Sequence, residues 1–153
     1  MKKIFSMAVV IGMLAMASGA MASGTNTLTV TASVTGTCKF VSGTSTLNFG
    51  TLDPSLSSDV NGSGTTTFWC TKGTTQTLSA NNGTNWDGSK RNMKLTTGAD
   101  LIPYTLTLTP DGSTNQGPGS PRTLTISGTI LNTDYINKAA GSYSDTVTLS
   151  ITP

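Results

Sequence analysis

The chain has 153 residues, of which only 10% are charged: nine Lys and Arg against seven acidic residues, all aspartate, with no glutamate and no histidine. That balance provides no basic face for nucleic acid or an anionic membrane. General acid-base chemistry would fall on scattered aspartates with no nucleophile-base arrangement or phosphate loop beside them, so a non-enzyme without catalytic residues, metal or cofactor is expected.

Lys2 and Lys3 precede an apolar run from Ile4 to Ala17, and Ala20-Met21-Ala22 supplies the small-x-small pattern that a signal peptidase reads before Ser23. Residues 1–22 are therefore expected to be a cleaved signal peptide. A membrane span would need about 20 apolar residues, and this run is shorter and interrupted by glycine. Loss of Lys2 and Lys3 leaves seven basic residues facing seven aspartates, a formally neutral mature chain.

Residues 23–36 read as an N-terminal extension. Within it Thr27 to Thr35 alternates strictly, with Leu28, Val30, Ala32 and Val34 on one face and hydroxyls on the other, which is the period of a half-buried strand. Such a strand can complete its own domain or be donated to a neighbouring one. Cys38 and Cys70 follow, and an even pair in an exported chain reads as one disulfide.

Residues 37–153 are one domain's worth of sequence, with threonine-rich alternating segments between turn clusters and no helical period. That spacing predicts an all-β sandwich. Strands are expected at Thr37 to Phe40, Ser45 to Phe49, Thr65 to Thr71, Thr75 to Ala80, Asn92 to Leu95, Tyr104 to Thr109 and Thr123 to Ile130. Ser55 to Gly64 reads as loop, and Pro110 to Pro121 as a surface loop. Asp59-Val-Asn-Gly-Ser63 begins like a calcium loop but has Cys70 where the bidentate acid belongs, so turn formers are the preferred reading.

In the Thr65 to Thr71 strand, Phe68 and Cys70 share one face, leaving Trp69 to point outward or toward an edge. Trp86 reads as a loop anchor, and Tyr143 as a corner tyrosine satisfying backbone groups. Packing is preferred to sugar stacking for these residues and for Tyr135. The segment Tyr143 to Thr152 alternates again and buries Val147, Leu149 and Ile151. An immunoglobulin-like sandwich continues from its sixth strand into a seventh; that strand is not expected after Thr152, and the unassigned strand is the N-terminal one.

Taken together, the strand ending at Val34 before Cys38, the segment Leu47-Asn-Phe-Gly-Thr-Leu52, the strand ending in Cys70 and the closing Gly141-Ser-Tyr-Ser-Asp-Thr-Val-Thr-Leu-Ser-Ile151 resemble the spore coat protein U domain family. That family includes the major pilins of archaic (Csu-type) chaperone-usher pili. The resemblance spans essentially the whole mature chain. It implies an incomplete immunoglobulin-like β-sandwich whose missing strand comes first from a periplasmic chaperone and then from the N-terminal extension of the next subunit.

On that footing Leu28, Val30, Ala32 and Val34 are the donor-strand side chains, and Val147, Leu149 and Ile151 belong to the acceptor groove and last strand. Ala32 fills a pocket less well than a larger residue would. The implied protein is a homopolymeric fimbrial subunit, passed through the periplasm and an outer-membrane usher to the cell surface, serving adhesion and biofilm formation. The same fold could instead fold its own strand back as a self-complemented spore or cell coat protein, or serve as a carbohydrate-binding adhesin module.

Overall fold

Period-2 alternation of threonine with Leu, Ile, Val and Phe leaves each segment one apolar face, and such faces are buried by stacking sheets. A computed structural model describes residues 23–153; the leader expected at residues 1–22 lies outside the described residues. Val34–Pro153 form one compact unit, to which residues 23–33 do not belong.

The order of elements is β1 (Cys38–Phe40), β2 (Val60–Cys70), β3 (Thr77–Ala80), β4 (Arg91–Leu95), β5 (Leu101–Tyr104), β6 (Thr107–Pro110), β7 (Arg122–Ile130), α1 (Asn132–Tyr135), β8 (Tyr143–Ser144) and β9 (Leu149–Thr152). Among the described residues one sheet runs β1-β2-β7-β6, with β2 and β7 antiparallel from Val60 opposite Ile130 to Phe68 opposite Arg122. Its inner face buries Phe68, Cys70, Leu124, Ile126 and Ile130, each worth about 1.5–3 kcal/mol for the large apolar side chains.

The second layer is built on the last segment of the chain. β8 pairs with β4, which pairs in turn with β5, and β9 pairs with β3. Between them the carbonyls of Thr146 and Thr148 accept from the amides of Thr84 and Asn81 at 3.1 and 3.0 Å. Residues 143–152 are thus held along one side by β4 first and β3 last, with residues 81–90 as an excursion between those two strands. Leu78, Leu149 and Ile151 pack on the Phe68 cluster, while Met93, Tyr143 and Val147 pack on a second cluster of Ile102, Tyr104, Ile130 and Tyr135. The result is the all-β, immunoglobulin-like sandwich that the alternation predicts.

Several boundaries differ from the sequence reading. The tract Ser55 to Gly64 is not wholly loop, because β2 begins at Val60. Gly62 and Gly64, which look like turn formers, stand on the inner face, where residues 46–49 cross closely. A Cβ at Gly64 would run into the Thr46 carbonyl oxygen, and one at Gly62 would lie 2.8 Å from the Phe49 ring. The expected strand Ser45 to Phe49 is therefore only an overlying segment with one isolated bridge, Asn48 to Ser63.

Asp59 accepts the Asn132 amide at 2.8 Å and Asn61 accepts the Thr129 hydroxyl at 2.6 Å, so the two act as structural acceptors, Asn61 within β2 itself. Tyr104 to Thr109 is split between sheets: β5 belongs to the second layer and β6 to the first. Pro103 lies inside β5, an edge strand, where its missing amide is tolerated.

Replacing Gly64 by valine should destabilise the domain by about 1–3 kcal/mol, the usual effect of overpacking a filled site. Urea unfolding of the purified protein measures it; an unchanged midpoint would show that residues 46–49 shift without cost.

At the β1 end of the sandwich Arg122 is 7% exposed, donates from Nε to Asp111 Oδ1 at 2.9 Å and also donates to the Asp111 carbonyl. Its Nη1 reaches Asn115 Oδ1 and Gln76 Oε1 at 3.1 and 3.2 Å, and the guanidinium lies 5.2 Å from the centre of the Phe68 ring. The expected surface loop 110–121 is thus pinned inward by a guanidinium whose three nitrogens each have an acceptor, as a buried cation requires.

The Thr123 amide, then the Arg122 side chain, hold the Asp111 carboxyl down to about 2 from the ordinary 3.8. A depressed folded value contributes stability that is complete above the unfolded value and lost as pH falls through the folded one. The advantage of the wild type over Asp111→Asn should therefore be constant above pH 3.8 and disappear as pH falls through about 2. Thermal melts of both proteins across that window check it.

Candidate functional site

The last segment has a paired side and an open side. In the described residues β8 is the edge of its sheet and β9 pairs with β3 alone. Facing that open edge are Leu47 and Phe49, carried by the segment that crosses β2, and between the two walls lies a groove. Tyr104, Leu106 and Ile126 contribute its floor, and Val147 and Leu149 its near wall, around a cavity of about 250 Å³. A second cavity of about 560 Å³ continues past Tyr143 between Leu52 and Pro54 on one side and residues 138–142 on the other.

The lining is half-buried rather than sealed: Leu47, Phe49, Leu52, Met93, Leu106, Tyr143, Val147 and Leu149 are all of intermediate exposure. An apolar trough of this kind beside an unpaired strand edge is what a missing strand would leave, and it suits an extended segment with alternating apolar side chains. Of the residues assigned to the acceptor wall, Val147 and Leu149 line the cavity. Ile151 stands opposite Leu78 and packs on the Phe68 cluster instead.

Ser45, Ser144 and Asp145 also line the groove, and Asp145 is the one charged group among them. Asp145 Oδ1 accepts from the Thr84 amide and hydroxyl at 2.9 and 2.8 Å and from the Asn85 amide and side chain at 3.2 and 3.1 Å. Its Oδ2 accepts the Tyr104 hydroxyl at 2.7 Å. Partial burial opposes the charge, but the donors, Tyr104 first and then Thr84, hold the Asp145 carboxyl below its ordinary value. Burial and the bond to Asp145 push the Tyr104 phenol up. Gly83, at φ 82°, lies so close that a Cβ there would meet the carboxylate. Nothing in the local sequence announces this contact, because the partners are 41 and 61 residues away from Asp145.

The N-terminal extension, taken by itself, has its apolar face bare. Leu28, Val30 and Val34 are 83%, 82% and 86% exposed, Ala32 is exposed with them, and none of residues 23–36 joins a strand pair. Beyond the extension, Cys38 and Cys70 form the expected disulfide, standing opposite one another across β1 and β2.

The remaining aromatics serve packing and backbone satisfaction. Tyr143 donates to the Ala139 carbonyl at 2.8 Å, in the manner of a corner tyrosine, and buried Tyr135 donates to the Ser58 carbonyl at 2.9 Å. Trp69 is half-buried opposite Lys39, and Trp86 is 38% exposed in the excursion.

No curated protein matches the chain. The family model described as the Spore Coat Protein U domain matches residues 24–150, which takes in both the bare N-terminal strand and the grooved sandwich. The chain belongs to the Spore Coat Protein U domain family.

Proposed function

We propose that this protein is the repeating subunit of a surface fibre in which each copy inserts its N-terminal strand into the groove of the next. The observation that carries the reading is a match of length and chemistry. Leu28 to Val34 covers six residue steps, about 20 Å of extended chain, and Tyr143 to Leu149 along the open wall covers the same number. The extension is apolar on every alternate position, and the wall is apolar at Tyr143, Val147 and Leu149 with Asp145 as its one charged interruption. Full burial of Leu28, Val30 and Val34 contributes roughly 5–9 kcal/mol before ordering costs, and the strand edge gains ladder partners as well.

On this reading the leader directs export, a periplasmic chaperone fills the groove until exchange, an outer-membrane usher delivers the subunit, and the fibre serves adhesion and biofilm formation. Family membership supports a pilus- or coat-type role in general. Electrophoresis in SDS without boiling, with and without residues 23–35, tests the proposal. Ladders that require the segment and collapse on heating are expected; a stable monomer that unfolds without the segment would move the assignment to a self-complemented coat protein.

A further inference from the structure

We infer that Ala32 is the register-setting residue of the donated strand, seated over a waist in the groove formed by Phe49, Tyr104 and Asp145. The inference rests on the donor-strand reading and adds to it a residue-by-residue alignment. The waist is built from wall to wall. Phe49 on the far wall meets the Tyr104 ring edge-on, centroids 6.0 Å apart, and Tyr104 reaches across to Asp145 at 2.7 Å. At this level the linked side chains span the groove and the floor ends in a carboxylate, with Val147 and Leu149 along the wall on one side and Tyr143 on the other.

Direction follows from where the chain leaves. β9 ends at the pole where Cys38 meets Cys70, and a Cβ at Gly36 would touch Pro153 there. The acceptor's own extension departs from that pole. A strand inserted parallel to residues 143–149 would bring the donor's Gly36 and its attached domain to the same place, against the acceptor's own exit. Antiparallel insertion takes the donor domain out past Tyr143 instead and lets the fibre grow head to tail.

In the antiparallel direction one alignment places the smallest apolar residue at the waist: Leu28 beside Leu149, Val30 beside Val147, Ala32 beside Asp145 and Val34 beside Tyr143. A shift of two residues either way would press Val30 or Val34 onto the hydrogen-bonded carboxylate, burying a charge beneath a branched side chain and leaving a large pocket to Ala32. The residue that fills its pocket poorly by volume is the one the waist admits.

The test uses the full-length protein. Thr31 and Thr146 become outward-facing neighbours in this alignment, so Thr31→Cys/Thr146→Cys should give an oxidised ladder that survives boiling without reductant. Thr31→Cys/Thr148→Cys and Thr31→Cys/Ser144→Cys, which report the shifted alignments, should not. Ladders from either shifted pair, or from none of the three while heat-sensitive polymer still forms, would overturn the alignment and leave strand donation standing. Absence of any polymer from the unsubstituted protein would overturn both.

Independently, Ala32→Leu should lower the SDS-resistant fraction about tenfold, the effect of one overpacked side chain, while Ala32→Ser leaves it unchanged. Wild-type ladders from Ala32→Leu would refute the waist.

Discussion

Replacing Val30 by aspartate is expected to abolish SDS-resistant polymer while leaving the folded subunit and its Cys38–Cys70 disulfide intact. The two halves of that result come from different environments of one side chain. In the isolated chain Val30 is 82% exposed, so a carboxylate there is solvated and leaves the sandwich undisturbed. In a neighbour's groove it would lie beside Val147 among Leu47, Leu106 and Ile126, where the described lining residues include no cation to meet it. The penalty for burying an unpaired charge is several kcal/mol after relaxation, comparable with the whole apolar gain from the strand. Val30→Thr, which keeps the shape and adds only a hydroxyl, should fall between. Fibres of normal length from Val30→Asp, seen by electron microscopy, would contradict donation.

Replacing Cys70 by serine should lower the yield of folded protein sharply. The bridge closes a loop of 32 residues in sequence separation, worth about 3–4 kcal/mol in the chain-entropy account, a large share of the 5–15 kcal/mol that holds a domain together. Burial adds to this: Cys70 is 1% exposed within the Phe68 cluster, and a hydroxyl there needs a partner that the cluster does not supply. β1 is only three residues long and pairs with β2 alone, so without the bridge its hold on the sheet is a few hydrogen bonds. Thermal melting and the yield of soluble folded protein measure the effect, and unchanged values in both would show the bridge to be dispensable.

Composition and alternation made the architecture legible. Strands recur as predicted at β1, β3, β4 and β7 to within two residues, and the inward direction of Phe68 and Cys70 follows from period 2 alone. What escaped depends on contacts between distant segments. Gly62 and Gly64 carry the local signature of a turn, and only the passage of residues 46–49 over them explains glycine inside a strand.

Tyr104 to Thr109 alternates without interruption, so nothing local marks the change of sheet after Tyr104. At the site, the bare face of Leu28, Val30, Ala32 and Val34 and the last-strand residues Val147 and Leu149 could be read directly. The far wall at Leu47 and Phe49 was visible only as a family motif, and the Asp145–Tyr104 bond and the Arg122 cluster not at all. Hydrogen bonds between residues tens of positions apart leave no periodic trace.

In the proposed exchange, the open wall of the groove is already fixed before a donated strand docks. β3 and β4 hold residues 143–152 from behind, and the Thr84 and Asn85 donors clamp Asp145 in the middle. An acceptor so preorganised loses little freedom on docking, and the conformational entropy of association falls almost wholly on the incoming segment, at roughly 1–2 kcal/mol for each backbone residue ordered. In the proposed fibre, affinity is therefore tuned most readily in the tail. A β-stiffening substitution at an outward position such as Ser33 would tighten every junction, and a glycine in the same place would loosen it, with the receiving domain unchanged.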